Sequence, residues 1–367
     1  METPGPKLRS LFPALGSVTY LDTPTAAAAA LPVLEAVRRA QDQWASGRFD
    51  WIGWEAQAEA TRPLFARLVG GRPEEVALVT SLAEAASTVA ASLPRGRVVV
   101  GESEFRSNLF PWLALARRGF EVVAIEASAG VVSTERLRAA ITPGTVLAAV
   151  TEVQSSSGFR VRLREIGARC REVGARFFVN LTQSLGALRF DANACGADYA
   201  AAHGYKWLLA PRGATWLWVR PERLEELSPL SPSWKSVESP FADFYRGSAN
   251  LAAGARRLDA SLAWFSWIGA RAALELLASL DPAGVETRCL GLARAFREAA
   301  AARGFALAPS EEASPTAAIR VSDPEALRSR LEQRRVIASV RGGSLRLGFH
   351  AYNDESDLAA VLDALAG

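Results

Sequence analysis

Lys206 is the residue whose type and setting come closest to chemistry on their own. It stands in His203-Gly204-Tyr205-Lys206-Trp207-Leu208-Leu209-Ala210-Pro211-Arg212-Gly213, after an apolar run and before a turn containing proline and glycine. A lysine held at a sheet edge in apolar company loses hydration. Its pKa falls, and the free amine becomes a usable nucleophile toward a carbonyl. A solvated lysine snorkelling from a loop fits this one segment equally well. The elements around it must therefore decide.

Short β-branched runs alternate with longer amphipathic stretches through the middle of the chain. Strands are predicted at 76–79, 97–100, 121–125, 145–150, 176–179, 199–202 and 215–219. Helices are predicted at 83–93, 109–118 and 164–173. This alternation predicts an α/β fold with a mostly parallel sheet covered by helices on both faces. Ligands of such sheets sit outside the carboxyl ends of the strands. Functional side chains should then gather near Ser81, Ser103, Thr151, Asn180 and His203. A Pro- and Ser-rich stretch, 227–240, reads as a loop. A long helix is predicted over 262–280, ended by Asp281-Pro282. Its Leu262, Phe265 and Ile268 spacing favours a buried face over a tryptophan binding platform. The last part, 309–367, mixes strand and helix patterns and reads as part of a smaller α+β domain. The expected organisation is an N-terminal arm (1–25), a large domain (26–255) and a small domain (256–367).

The bulk numbers exclude several classes. The 42 basic and 39 acidic residues nearly balance, which gives no electrostatic case for nucleic acid. No apolar run approaches the length of a membrane span, and the N-terminus has no signal-peptide core. Cys170, Cys195 and Cys289 are odd in number and lack CxxC spacing, which fits a reducing cytoplasm rather than a disulfide or zinc framework. Two histidines, His203 and His350, are too few for a His-rich metal centre.

Six ordered segments, spanning nearly the whole chain, together resemble the class V aminotransferase-like family of fold-type I pyridoxal-phosphate (PLP) enzymes. The similarity is to its cysteine desulfurase and isopenicillin N epimerase branch. Tyr20-Leu21-Asp22 with Leu31-Pro32-Val33 resembles the N-terminal entry. Val79 to Ala85 sits where the family opens a helix on the cofactor phosphate. Ser103 to Trp112 resembles E-(H/F)-x-S-N-x-x-P-W, and Asn180 to Gly186 resembles D-x-x-Q-x-x-G. The Lys206 segment matches the lysine motif. Arg346, with Tyr352-Asn353, echoes the C-terminal motif.

The resemblance implies a seven-stranded large domain, a smaller C-terminal domain, and PLP joined to Lys206, which later moves protons. It implies Phe105 stacked on the cofactor ring, Gln183 hydrogen-bonded to the ring hydroxyl oxygen, and the phosphate at Ser81, Leu82 and Ala83, touched by His203. Ser261 would reach the phosphate of the other subunit in a homodimer with shared active sites. Arg346 would hold the carboxylate of an amino-acid-like substrate, since its planar fork meets a carboxylate bidentately. Each position also has a plain reading: Phe105 as core aromatic, Gln183 as strand-end cap, His203 as satisfied core histidine, Ser261 as helix N-cap, Arg346 as solvated arginine.

The chain departs from the pattern at position 180, where Asn180 replaces the aspartate that keeps the ring nitrogen protonated. The expectation is lyase or epimerase chemistry rather than efficient transamination; slow transamination and a catalytically silent member stay open. Leu82 and Ala83 replace phosphate-holding threonines, and Glu152 is expected to crowd an anionic oxygen of the cofactor. No cysteine lies in 336–348, which disfavours sulfur transfer through a persulfide. Substrate specificity is assigned to loops at 43–55 and 234–245, with the roles of Trp51 and Trp54 left between pocket lining and packing.

Overall fold

The computed structural model describes residues 5–245 and 250–366. The first four residues of the expected arm therefore lie outside the described residues, as does Gly367 of the expected small domain. Twelve described strands form three sheets: β1 (Thr19–Tyr20), β2 (Val76–Val79), β3 (Arg97–Gly101), β4 (Glu121–Ile125), β5 (Thr145–Thr151), β6 (Arg176–Asn180), β7 (Tyr199–His203), β8 (Thr215–Val219), β9 (Thr316–Arg320), β10 (Val336–Ile337), β11 (Ser339–Arg341) and β12 (Ser344–Gly348).

The large sheet has the order β2-β8-β7-β6-β5-β3-β4. Strands β3 to β7 pair in parallel, while β8 runs antiparallel between β7 and β2. Its central strands are continuous apolar runs because both faces are covered. Alternate residues feed opposite cores. Val99, Val150, Phe177 and Val179 face one core, with Ile166 from the helix Leu163–Val173. Val98, Val100, Leu147 and Phe178 face the other, with Ala85 and Val89 from the helix Leu82–Ala91. This alternation aims the last residues of each strand, Thr151, Asn180 and His203, at one edge of the sheet.

The second sheet, β11-β12-β9, is antiparallel and has its own core of Phe296, Leu345 and Leu347. Strand β1 pairs with β10, and Asp22 bridges to Gly348, so the arm runs along this sheet and carries Asp22 to it. The helix Trp264–Ser279 packs through Trp267, Ala270 and Leu274 into the core of the large sheet.

Three local expectations change. The segment 43–55 is mostly helical: one helix runs Leu31–Ala45 and the next starts at Trp51, capped by Asp50, whose side chain accepts from Gly53 N. Trp54 is buried and packs on Trp264 and Phe265. The helix expected at 109–118 begins earlier, at Arg106, and its last residues tighten into a 3₁₀ turn, Ala114–Arg118. The long C-terminal helix starts at Trp264 after Ala263, so Ser261 does not cap it. No described helix is long and apolar enough to cross a membrane.

Candidate active site

Strand β7 delivers Lys206 through a tight turn. Leu209 N bonds back to Lys206 O and Ala210 N to Gly204 O, and Leu209 adopts the left-handed conformation at φ 60°. A non-glycine residue there costs about 1–2 kcal/mol, so its surroundings must impose it. They do so through Trp207. Its indole N–H donates to Gln183 Oε1 (3.1 Å), and its carbonyl accepts from His350 Nε2 (3.0 Å). The His350 tautomer follows from Ala351 N, which donates to Nδ1 and leaves the proton on Nε2.

Gly186 closes the arrangement from behind. A Cβ there would come 2.2 Å from Trp207 O, and its φ is 105°. Gly186→Ala is therefore expected to cost about 2–3 kcal/mol through backbone strain and overlap. A melting temperature within one degree of the parent would show that the turn tolerates movement.

The lysine side chain is 6% exposed, and its Nζ makes no hydrogen bond among the described residues. It lies 5.5 Å from the ring centroids of both Phe105 and Tyr205. Burial, followed by the positive charge of Arg346, pushes its pKa down to about 7. The solvated-lysine reading therefore fails. Lys206, Phe105, Ser155, Tyr205, Arg341 and Arg346 share a cavity of about 670 Å³, within the usual range for small-molecule sites. Phe105 is 54% exposed, so it is not a core aromatic.

Arg346 enters from β12, on the second sheet. Nη1 donates to Ser155 O (2.6 Å), and Nη2 donates to Thr25 Oγ1 (2.7 Å) and faces Asp22 Oδ1 at 3.4 Å. Burial pushes its pKa down without making it neutral. Ser155, which sequence reading passed over, also accepts from Gln183 Nε2 at 2.9 Å. Gln183 spends its other contacts on Pro24 O and Trp207, which makes it more than a strand-end cap.

Asn180 ends β6, almost fully buried, outside the cavity lining. Its amide orientation is fixed: Oδ1 accepts from Thr182 N (3.0 Å) and Nδ2 donates to Thr151 Oγ1 (2.9 Å). Thr151 in turn donates to Glu104, which also accepts from Thr151 N and Asn108 Nδ2. Glu104 is half-buried overall, yet its carboxyl end is desolvated, which raises its pKa. Sequence reading saw Glu104 only as a motif letter. Its place one hydroxyl behind Asn180 follows from the register of β5 beside β6, which pairs Thr151 with Asn180.

Ser81 caps the helix Leu82–Ala91, accepting from Glu84 N, and the amides of Leu82 and Ala83 find no protein acceptor among the described residues. Such a helix start suits an anion. His203 Nδ1 lies 3.0 Å from Thr215 Oγ1, and burial pushes its pKa down to about 4, so it is neutral at pH 7.

Two expected positions lie elsewhere. Glu152 pairs with Arg160 at 3.0 Å. It follows Thr151, the last residue of β5, and does not line the cavity that holds Lys206; its Oε2 is buried without a hydrogen-bond partner among the described residues. Ser261 is exposed and lines a different cavity with Trp51 and Trp234, where Trp51 packs in an aromatic cluster with Phe241 and Phe244.

Known proteins resemble this arrangement along nearly the full chain. An uncharacterized aminotransferase of Bacillus subtilis is 29% identical over 98% of this chain and 96% of its own. The isopenicillin N epimerase of Streptomyces clavuligerus is 30% identical over 86% of this chain and 84% of its own. Among solved structures, a cysteine desulfurase from Thermococcus onnurineus shares the fold with a TM-score of 0.84, at 21% identity, covering 100% of this chain and 98% of that one. The family model for class V aminotransferases matches residues 19–361, and the chain belongs to that family.

Proposed function

We propose that the chain is a PLP-dependent enzyme acting on an amino-acid-like substrate, with Lys206 holding the cofactor and lyase or epimerase chemistry favoured over efficient transamination. The observation that carries the proposal is the desolvated, unpaired Nζ of Lys206 facing Phe105 inside a cavity that also contains Arg346. The donor set fits the cofactor. An amine free near neutral pH can condense with its aldehyde, and the open amides of Leu82 and Ala83 suit a phosphate. His203, being neutral, can add a hydrogen bond there but no charge.

When bound, PLP supplies an electron sink for bonds at the substrate α-carbon. The protein's part is positioning and proton movement. Phe105 covers one face of the site and excludes water. Gln183 spends both amide hydrogens on Pro24 O and Ser155 Oγ, so it positions Ser155, whose own hydroxyl hydrogen is the one left to donate to the ring hydroxyl oxygen. Arg346 orients the α-carboxylate, and Lys206 Nζ, once free, takes and returns the proton at the α-carbon. Asn180 has one amide N–H left beyond its bond to Thr151 and no negative charge to match a protonated ring nitrogen.

The relatives bear the names of an aminotransferase, an epimerase and a desulfurase, so membership alone does not choose the reaction. Asn180 argues against the route most dependent on ring protonation. A persulfide route lacks its thiol, because all three cysteines are buried; burial pushes Cys170 and Cys195 up to about 12 and Cys289 higher still.

Ser261, in its separate cavity, is proposed to serve the phosphate site of a second subunit in a homodimer, and the cellular location proposed is the cytoplasm. Light scattering that finds only a monomer would remove the shared-site part of the reading.

The test is capture of PLP by the cofactor-free chain across pH. Lys206 is neutral above its depressed pKa, so capture rises with pH and is half-maximal near pH 7, whereas an ordinary lysine has a pKa of 10.5. Borohydride reduction and peptide mapping should place the adduct on Lys206. A midpoint above pH 9, or an adduct on another lysine, would overturn the assignment.

A further inference from the structure

Four basic side chains line the cavity: Lys206, Arg212, Arg341 and Arg346. The acid at this cluster is Asp22, and Arg346 holds it. Arg212 and Arg341 have no carboxylate within ion-pair distance among the described residues; Arg212 rests its guanidinium 5.6 Å from the ring centroid of Tyr205. The hairpin register sharpens this. Arg341 pairs with Ser344 and Arg346 with Ser339, so both arginines project from one face as diagonal neighbours. Diagonal neighbours lie about 7–8 Å apart, and like charges on one sheet face repel unless an anion lies between them. In the functional reading the cofactor phosphate rests on the amides of Leu82 and Ala83, which are not among the residues that line the cavity with Arg212 and Arg341, so its charge is assigned away from that pair.

We propose that the site selects a dicarboxylic amino acid, with Arg346 taking the α-carboxylate while Arg341, supported by Arg212, takes a second carboxylate on the side chain. The proposal rests on the functional reading above for the α-carboxylate end. Guanidinium groups suit both ends because each meets a planar carboxylate bidentately. Asp22 already faces Arg346, so an uncharged side chain in the same place would leave the charge of Arg341 without a carboxylate partner, and that difference is the basis of selection.

The test uses holoenzyme titrated with L-glutamate against L-glutamine and L-aspartate against L-asparagine. Occupancy is read from the shift of the cofactor absorption band and by calorimetry. At least one acid should bind tenfold or more tighter than its amide. The ratio should fall to within threefold in an R341Q/R212Q double variant, with the amide's affinity and the PLP affinity unchanged. R39Q, an exposed arginine paired only loosely with Glu35 at 3.9 Å, should keep the full ratio. The inference is overturned if neither pair shows a preference, if the preference survives the double variant, or if that variant weakens PLP binding and leaves the preference intact. Should borohydride fix no PLP on Lys206, the functional reading fails by itself. Calorimetry of the same protein with glutamate against glutamine then still decides the arginine pair.

Discussion

Lys206→Ala should abolish the borohydride-fixed adduct and lower turnover by about 10³-fold or more, the usual scale for removing a nucleophile that also transfers protons. The fold should survive. The turn is held by backbone bonds from Leu209 N and Ala210 N and by Trp207, none of which needs the lysine side chain. Removing an amine whose protonated form is disfavoured by burial costs little packing, so the melting temperature should hold or rise slightly. Lys206→Arg should not rescue activity, because a guanidinium stays protonated at any working pH and cannot condense with a carbonyl. Full activity in either variant would move the chemistry away from this residue.

Legibility of the site in the sequence followed the range of the interactions. The apolar runs at Val98–Val100 and Phe177–Val179 were readable as strands because burial on both faces leaves an unbroken apolar run. Lys206, Phe105 and Arg346 were readable as motif residues, although the exposure of Phe105 that removes its core reading exists only in three dimensions. Ser155 was missed because its partners, Gln183 and Arg346, are brought to it by two different sheets. Glu152 was expected at the cofactor because it stands beside Thr151 in sequence, whereas its carboxylate pairs with Arg160, a contact made only when the chain turns back after β5. The helical character of 43–55 was hidden by Trp, Gly and Ser, weak helix formers whose only strong signal was the Asp50 cap. Arg341 carries no local mark at all. Its meaning comes from the hairpin that sets it beside Arg346.

Asn180→Asp should raise the amino-donor half-reaction, read as conversion to the pyridoxamine form, at least tenfold, while destabilising the cofactor-free protein. Both effects follow from the bonds around position 180. An aspartate there keeps the bond from Thr182 N, but its other oxygen faces the Thr151 hydroxyl, which now donates to Glu104. A hydroxyl has one hydrogen and cannot serve two carboxylates. One carboxylate is left facing a lone pair, beside a like charge, at a cost of about 1–3 kcal/mol. The folded variant therefore binds a proton more tightly than the unfolded chain in this region. Its deficit is present above the raised carboxyl pKa and shrinks as the pH falls. A protonated ring nitrogen would supply the missing positive charge, so PLP should stabilise Asn180→Asp more than the parent, as read from the melting shift on loading. The two readouts discriminate. Restored stability with unchanged half-reaction rate would mean that ring protonation does not limit this enzyme. No extra stabilisation by PLP would mean that position 180 does not meet the ring nitrogen. If both rise together, the asparagine is the residue that turns this family member away from transamination, with Thr151 and Glu104 built to hold a neutral amide rather than an acid.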